Sequence, residues 1–427
     1  MTSTETQKSN ETRIRVKFYT QQEKYRVPSD PIFLPINLKR LGLSTVINHL
    51  LSHETPVPFE FLINGQILKG SIDNYLKSNN LSTENVLELE YLESVLPPTP
   101  QAQFQHDDWI STIDKTTDKL IATGSYDNII RLWNKSGEVV DSLTCHTGPI
   151  KAINWIDNAF LSASLDQTIV AWKKNDSDSY EPLYTAIGHT KSVESVKVSP
   201  NLVHFATSSL DGTIKLWNLA GLDEDEHHVA NRPSTTIKPS AKKTKVRHEL
   251  CKTSIMTLGD HRGPVSSIQF HNTSASVLYS GGWDHSLRTW DLTTETNLNT
   301  KNCEKPFNSL HINSSNSLLA SGHTDRLIRL WDARVNDNTV MKLGLVGHSN
   351  WVSQVFWNEQ NDSQLISSSY DGTIRGWDIR SKTPIFTLNH NAENPESKVL
   401  CVNWFDNLIV SGGDDQVLGI HKVNDQN

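Results

Sequence analysis

Seven short segments of one repeated pattern, spread over the last three-quarters of the chain, constrain its fold more than any other feature. Six of them read TGSYDNIIRLW, SASLDQTIVAW, TSSLDGTIKLW, SGGWDHSLRTW, SGHTDRLIRLW and SSSYDGTIRGW; a seventh, SGGDDQVLGIH, carries His421 where the others have Trp. Their aspartates are Asp127, Asp166, Asp211, Asp284, Asp325, Asp371 and Asp415, separated by 39, 45, 73, 41, 46 and 44 residues. Apart from the 73, these spacings match the roughly 40–45-residue period of a four-stranded propeller blade, so seven repeats predict a seven-bladed ring. Within a unit the alternation is that of strands. Val265–Phe270 (VSSIQF), for example, is expected to put Val265, Ser267 and Gln269 on one face and Ser266, Ile268 and Phe270 on the other. Asp-Gly at 211–212 and 371–372 supplies tight-turn chemistry between two such runs.

A histidine, usually after a small residue, lies upstream of most units: His146, His189, His261 and His348, with His106 and His390 less regular. The arrangement resembles the Gly-His … Trp-Asp signature of the WD-repeat family. That resemblance implies a buried hydrogen-bonded chain of His, a strand Ser or Thr, the turn Asp and the Trp. A set such as His189, Ser208 and Asp211 mimics a hydrolase triad, but it recurs blade after blade, and buried polar groups need partners anyway. Blade 5 lacks a preceding Gly-His and blade 7 lacks the Trp, so these two are expected to be less tightly knit. After the third strand of blade 7 (Gln416–Lys422) only Val423–Asn427 remain, too few for a fourth. A segment near Pro100–Gln105 is therefore expected to complete blade 7 and close the ring.

At 427 residues the chain exceeds the size, about 250–300 residues, at which one core stops growing. Residues 13–93 read as strand, strand, helix, then strands. Arg13–Thr20 alternates, and Ser44 is placed to cap a short helix with Val46, Ile47, Leu50 and Leu51 on one face. The stretch that follows gives a strand, an Asn64-Gly65 hairpin, a second strand, an irregular turn and a last alternating strand. In spacing and hairpin position this resembles the α+β ubiquitin-like (β-grasp) domains. LESVLPPTPQAQ follows instead of a terminal Gly-Gly, so the module is read as a docking domain and not a conjugated modifier. Pro97, Pro98 and Pro100 make a stiff linker, expected to hold two domains apart. The expected division is a disordered tail over 1–12, the ubiquitin-like domain over 13–93, a linker over 94–99 and an all-β propeller over 100–427. Residues 220–252 form an insertion between the third and fourth strands of blade 3.

Composition removes other classes. There is no run of about 18 apolar residues to span a bilayer, and the polar Met1–Thr6 lacks the apolar core of a secretory signal. Lys and Arg number 40 against 48 Asp and Glu, a net of −8, the opposite balance to a purely electrostatic nucleic-acid binder. Cys145, Cys251, Cys303 and Cys401 are scattered, so they read as buried reduced thiols of a cytosolic or nuclear protein. No repeat breaks pattern to place a nucleophile, metal cluster or phosphate loop in the central funnel, so no catalytic residue and no cofactor are expected.

A β-grasp domain carrying PINLKRLGLSTVINHLL and PVPFEFLINGQIL ahead of a seven-bladed propeller resembles the Ytm-type WD-repeat proteins of large ribosomal subunit assembly, whose N-terminal module is the notchless-like (NLE) domain. The resemblance implies a factor of the nucleolus and nucleoplasm in pre-rRNA maturation. Its implied partners are a block-of-proliferation (BOP-type) protein, pescadillo in the same PeBoW-type complex, and the large-subunit pre-ribosome. It also implies docking of the β-grasp domain on midasin, an AAA ATPase that strips factors from pre-ribosomes. Family docking uses a carboxylate to complete the octahedron of a Mg²⁺ held by the ATPase, and the matching position is Glu84, in LSTENV. From the residues alone, Glu84 is a carboxylate solvating a turn. It is not expected to bind metal in isolation, because one carboxylate is not a site.

On the propeller, the residue before each turn Asp is expected on the narrow top face, where three are aromatic: Tyr126, Trp283 and Tyr370. Trp351, just after Gly347-His348, joins them. These are read either as anchors for the BOP-type partner or as aromatics packed over blade edges. Trp133, Trp172, Trp217 and Trp290 are core by periodicity. The insertion runs from acidic (DEDE, 223–226) to basic (KKTKVR, 242–247). Its Lys242, Lys243, Lys245 and Arg247 are read as an import signal, an RNA-phosphate contact or a solvated loop. WDAR (331–334) and WDIR (377–380) resemble the box by which some propellers serve cullin-type ubiquitin ligases as substrate receptors, the alternative function. Trp-Asp also closes the third strand of many blades for structural reasons.

Overall fold

A computed structural model describes residues 12–52, 55–68, 70–82, 84–94, 97–115, 120–175, 179–219, 250–315, 318–334, 343–380 and 384–423. The chain divides into two compact units, an N-terminal one of Met1–Leu96 grouped with Asp378–Ile385 and a ring of Pro97–Trp377 with Phe386–Asn427.

The N-terminal unit consists of β1 (Arg13–Tyr19), β2 (Ile32–Pro35), α1 (Arg40–Leu51), β3 (Phe59–Ile63), β4 (Gln66–Ile67), α2 (Ile72–Ser78) and β5 (Leu87–Glu93). The sheet order is β2-β1-β5-β3-β4, with β1 and β5 parallel at its centre, which is the β-grasp arrangement. Alternate residues Ile14, Val16 and Phe18 of β1 meet Phe59, Phe61, Leu89 and Tyr91 beneath Leu43 and Ile47 of the helix. Asn64 and Gly65 both take positive φ, 51° and 75°, as a two-residue hairpin requires.

Two local expectations fail here. Helix α1 begins at Arg40, with Lys39 as its N-cap, so Ser44 lies inside the helix. Its buried hydroxyl donates to Val57 O at 3.1 Å and accepts from Phe59 N at 3.1 Å, tying the helix to β3. Of the expected helix face, Ile47 is buried and Val46 and Leu51 border the core, but Leu50 is exposed. The stretch read as an irregular turn is α2, started by Ser71, whose hydroxyl accepts from Asn74 N at 3.3 Å.

The ring has seven sheets, antiparallel throughout but for one added strand. Strand β6 (Thr99–Gln105) pairs antiparallel with Val417–Lys422, so the start of the ring supplies the outer strand of blade 7. Blade 2 carries a fifth strand: Leu250–Lys252 runs parallel to Tyr184–Ala186. The last three residues of the expected insertion therefore belong to a sheet and not to a loop. Lys252 is held there, its Nζ donating to Asn218 O at 3.2 Å and lying 3.8 Å from the Tyr184 ring centroid.

The innermost strands do not alternate strictly. Each has a β-bulge at its first step, from Ile110/Thr112 in blade 1 to Val399/Cys401 in blade 7. A bulge adds one residue and shifts the face of everything before it. Val265 therefore joins Ile268 and Phe270 in the core, contrary to the face expected for it. The same device buries Ile110, Ile150, Val193, Phe307, Val352 and Val399 completely. The residue that follows, such as Ser111, Lys151 or Glu194, is left lining the central cavity.

The turn geometry is equally uniform. The residue after each turn Asp has positive φ in all seven blades: Asn128, Gln167, Gly212, His285, Arg326, Gly372 and Gln416. Glycine at 212 and 372 takes that conformation freely; the other five blades hold a side chain in it.

Candidate functional site

Blades 2, 3, 4 and 6 contain the complete polar chain. In blade 2, His146 Nδ1 lies 2.9 Å from Asp166 Oδ2 and Nε2 lies 2.8 Å from Ser162 Oγ, which accepts the Trp172 indole N–H at 2.8 Å. His189, Thr207, Asp211 and Trp217 repeat it in blade 3, His261, Ser280, Asp284 and Trp290 in blade 4, and His348, Ser367, Asp371 and Trp377 in blade 6. Burial alone would raise the aspartate pKa values. The histidine and hydroxyl hydrogen bonds outweigh it and hold Asp166, Asp211, Asp284 and Asp371 well below the usual carboxylate range. The hydroxyl in each chain is buried and already engaged, which suits cohesion and leaves no exposed nucleophile. In blade 3 the partner of His189 is Thr207, while Ser208 is buried with its hydroxyl unpartnered.

Three blades depart from this wiring. In blade 1, Asp127 pairs with Arg131, which also reaches Asp107, and His106 keeps only its link to Thr123 at 3.1 Å. Blade 5 takes its imidazole from within the strand: His323 Nε2 sits 2.7 Å from Ser321 Oγ, which accepts from Trp331 Nε1 at 2.7 Å. Asp325 there pairs with Arg329. Blade 5 is thus rewired, with His323 Nδ1 directed to Pro306 O at 3.0 Å instead of to the turn Asp. In blade 7, His390 spans Ser411 (2.8 Å) and Asp415 (3.2 Å), but no indole is present, and Nδ1 of His421 is buried without a partner.

On the rim of the ring, in blades 1, 2, 3, 4 and 6, the residue before the turn Asp bonds back to the residue three positions after the histidine. Tyr126 N thus donates to Trp109 O (2.9 Å) and Tyr370 N to Trp351 O (3.0 Å). The ring centroids of Trp109 and Tyr126 are 5.4 Å apart and those of Trp351 and Tyr370 5.8 Å. Lys151 donates to the Tyr126 hydroxyl at 2.9 Å, and Lys398 Nζ lies 5.8 Å from the Tyr370 ring centroid. The tyrosines are partly covered, whereas Trp283 (53%), Trp351 (48%) and Trp109 (45%) remain exposed. Trp109 was not singled out from the sequence. Its signal was available, since it follows His106 by three residues as Trp351 follows His348.

Glu84 lies in the exposed turn between α2 and β5, its N–H donating to Ser82 Oγ at 3.2 Å. The neighbouring acids are engaged: Glu88 pairs with Lys17 at 3.1 Å, and Glu90 accepts from Gln21 at 2.9 Å. Among the described residues Glu84 has no ion-pair partner. Leu81 (43%) and Val86 (44%), which flank it, are exposed, a feature that the sequence reading did not pick out.

The basic residues Lys242, Lys243, Lys245 and Arg247 lie outside the described residues. Arg334 and Arg380 fold back on Asp332 (3.0 Å) and Asp378 (2.6 Å) of their own Trp-Asp steps, a local structural duty. Of the four cysteines, all free, only Cys401 is buried; Cys251 is exposed, and Cys145 and Cys303 are intermediate. Their expected common burial therefore holds for one, because Cys251 sits on the added edge strand of blade 2. Among the described residues no three His, Cys, Asp or Glu side chains gather as a metal site.

Comparison with known proteins agrees with this anatomy. Residues 14–76 match the NLE (NUC135) domain. The WD domain, G-beta repeat, matches six times, over 98–134, 137–173, 180–218, 252–291, 296–332 and 339–378; blade 7, with His421 for Trp, has no match of its own. The chain is 35% identical over 444 residues to "Ribosome biogenesis protein YTM1" of Candida glabrata, covering 96% of this chain and 97% of that one. It is 35% identical over 437 residues to the protein of that name in Schizosaccharomyces pombe, covering 96% of each. The "Ribosome biogenesis protein WDR12 homolog" of Nematostella vectensis is 35% identical over 421 residues, covering 95% of this chain and 98% of the relative.

Proposed function

The chain belongs to the family of ribosome biogenesis proteins named YTM1 and WDR12, and on that premise we propose that it is a non-enzymatic scaffold of the large-subunit pre-ribosome. Its role is in ribosome biogenesis. The propeller holds a BOP-type partner, in a complex with pescadillo, against the rim that carries Trp109, Tyr126, Trp283, Trp351 and Tyr370. Exposed Trp and Tyr are the commonest strong anchors of protein interfaces. The ubiquitin-like domain is the handle: Glu84 supplies the missing oxygen ligand of a Mg²⁺ held by a midasin-type AAA ATPase, which draws the protein off the particle. The work takes place in the nucleus, in the nucleolus and nucleoplasm.

The observation that carries the handle is the state of Glu84. It is an exposed carboxylate with no cation of its own among the described residues, set between two exposed aliphatic side chains. Mg²⁺ prefers hard oxygen ligands and accepts one from outside where a coordination position is vacant. Leu81 and Val86 would exclude water around that bond.

Affinity purification of the tagged protein from nuclear extract tests both halves. Recovery of large-subunit precursors with a BOP-type protein and pescadillo supports the scaffold. Recovery of a cullin adaptor without ribosomal precursors overturns it. Glu84→Ala is expected to keep the BOP-type partner and lose the ATPase; normal release of that variant from pre-ribosomes would sink the handle.

A further inference from the structure

The innermost strands of the ring enclose a central cavity of about 170 Å³. Most charged groups facing it are already committed. Lys151 donates to Tyr126 and lies 3.8 Å from Glu194. Asp114 accepts the backbone N–H groups of Trp155 (2.8 Å) and Lys115 (2.9 Å), so both its oxygens are turned into the wall.

Lys197 is the exception. It lines the same cavity, yet among the described residues its ammonium has no hydrogen bond and no ion pair. Burial lowers its pKa, and the charge of Asp114, beyond ion-pair distance, opposes that only in part. An ammonium with three unmatched donors inside a cavity calls for acceptors.

His311 adds a donor beside it. Its Nδ1 accepts from Trp357 N at 3.2 Å, so the neutral ring carries its proton on Nε2. Burial, then the charge of Lys197, pushes its pKa down to about 3, which keeps the ring neutral and the tautomer fixed. The cavity therefore offers unmatched donors.

We infer that the central cavity is a binding site for a small oxoanion of the size of inorganic phosphate, with Lys197 Nζ and His311 Nε2 donating to its oxygens. The size permits it: the cavity is several-fold larger than the ~10–15 Å³ that one water needs, so the five heavy atoms of phosphate fit with room to spare.

Calorimetric titration of the full chain with inorganic phosphate, in chloride buffer, tests the assignment. Saturable binding is expected, with a melting temperature that rises with phosphate concentration. Lys197→Met is expected to weaken binding by about tenfold or more, the loss of one charge-assisted hydrogen bond. The exposed Lys191→Met should leave it unchanged. Absence of saturable binding, or binding retained in K197M, overturns the site. Should K197M fail to fold, crystals of the unaltered protein soaked in arsenate decide the matter. An anomalous peak within hydrogen-bond reach of Lys197 supports the site; no peak in the cavity refutes it.

Discussion

In blade 6, Trp377 closes a buried chain through Ser367, His348 and Asp371. In blade 7, its neighbour, His421 stands where the indole would be, and its strand pairs with β6 from the other end of the ring. Blade 6 is knit by its own sequence: a large aromatic fills the space between strands, and its N–H satisfies a hydroxyl shared with the histidine. Blade 7 has a smaller ring there, with one buried nitrogen unmatched, and gains cohesion from a strand more than three hundred residues away. A blade can do without its indole where closure of the ring supplies the restraint.

The largest test removes that restraint. Deleting 416–427 should leave β6 without a partner and open both flanking edges, so the ring should lose its cooperative unfolding transition altogether in calorimetry. A six-bladed remnant that melts cooperatively would show that blade 7 is dispensable. A finer test compares hydroxyls. Ser367→Ala orphans both His348 and Trp377, whereas Ser411→Ala orphans His390 alone. At about 1–3 kcal/mol for each orphaned buried group, S367A should cost roughly twice as much as S411A in denaturant unfolding. Equal costs would mean that the indole bond contributes nothing.

Acid sharpens the same contrast. Burial holds His421, His106 and His323 down to about 4 and His311 to about 3, against about 6.5 for an unfolded histidine. The unfolded chain therefore binds these protons first. Stability present above pH 6.5 is lost as the pH falls toward the folded values, by roughly 2 kcal/mol for each histidine at pH 5. His421→Trp should remove one proton from that dependence and give Ser411 the indole donor that blade 6 already has. An unchanged pH slope in H421W would count against the burial of His421 as the cause. The smallest effect is expected at Glu84, whose replacement by Ala should change stability by less than about 0.5 kcal/mol while docking on the ATPase is lost.

Much of the ring was legible because the repeat states its plan seven times. The aspartate spacing, the core tryptophans and the strand borrowed for closure all follow from counting. The bulges were legible too, but only to a reader willing to drop strict alternation. ISTID, IKAIN and VESVK place apolar residues three apart and follow them with a polar one, which no regular strand would bury. In blade 5 a histidine displaced into the strand reaches the equivalent serine, which no motif announces, because geometry does not depend on chain order. In the N-terminal unit, Ser44 looked like a cap because serine favours that position. Its hydroxyl instead serves Val57 and Phe59, a tertiary use that a local pattern does not encode. Helix α2 is only seven residues long, too short for its periodicity to stand out. At the candidate docking positions, the sequence named Glu84 and four of the rim aromatics, and the structure adds what surrounds them. That Leu81 and Val86 are exposed, and that Glu88 and Glu90 are engaged, depends on packing against the sheet.

The pairing of β6 with Val417–Lys422 also sets a clock. Gln105 and Gln416 are 311 residues apart, and a ribosome adds on the order of 5–20 residues per second. The first strand of the ring therefore waits between ~15 and ~60 s for its partner to be made. An unpaired strand is a template for wrong pairing. The sequence of β6, TPQAQFQ, suits the wait: Pro100 withholds one N–H, three glutamines keep it wetted, and Phe104 is the sole large apolar side chain. The seam of the ring is polar for the interval in which it has nothing to hold.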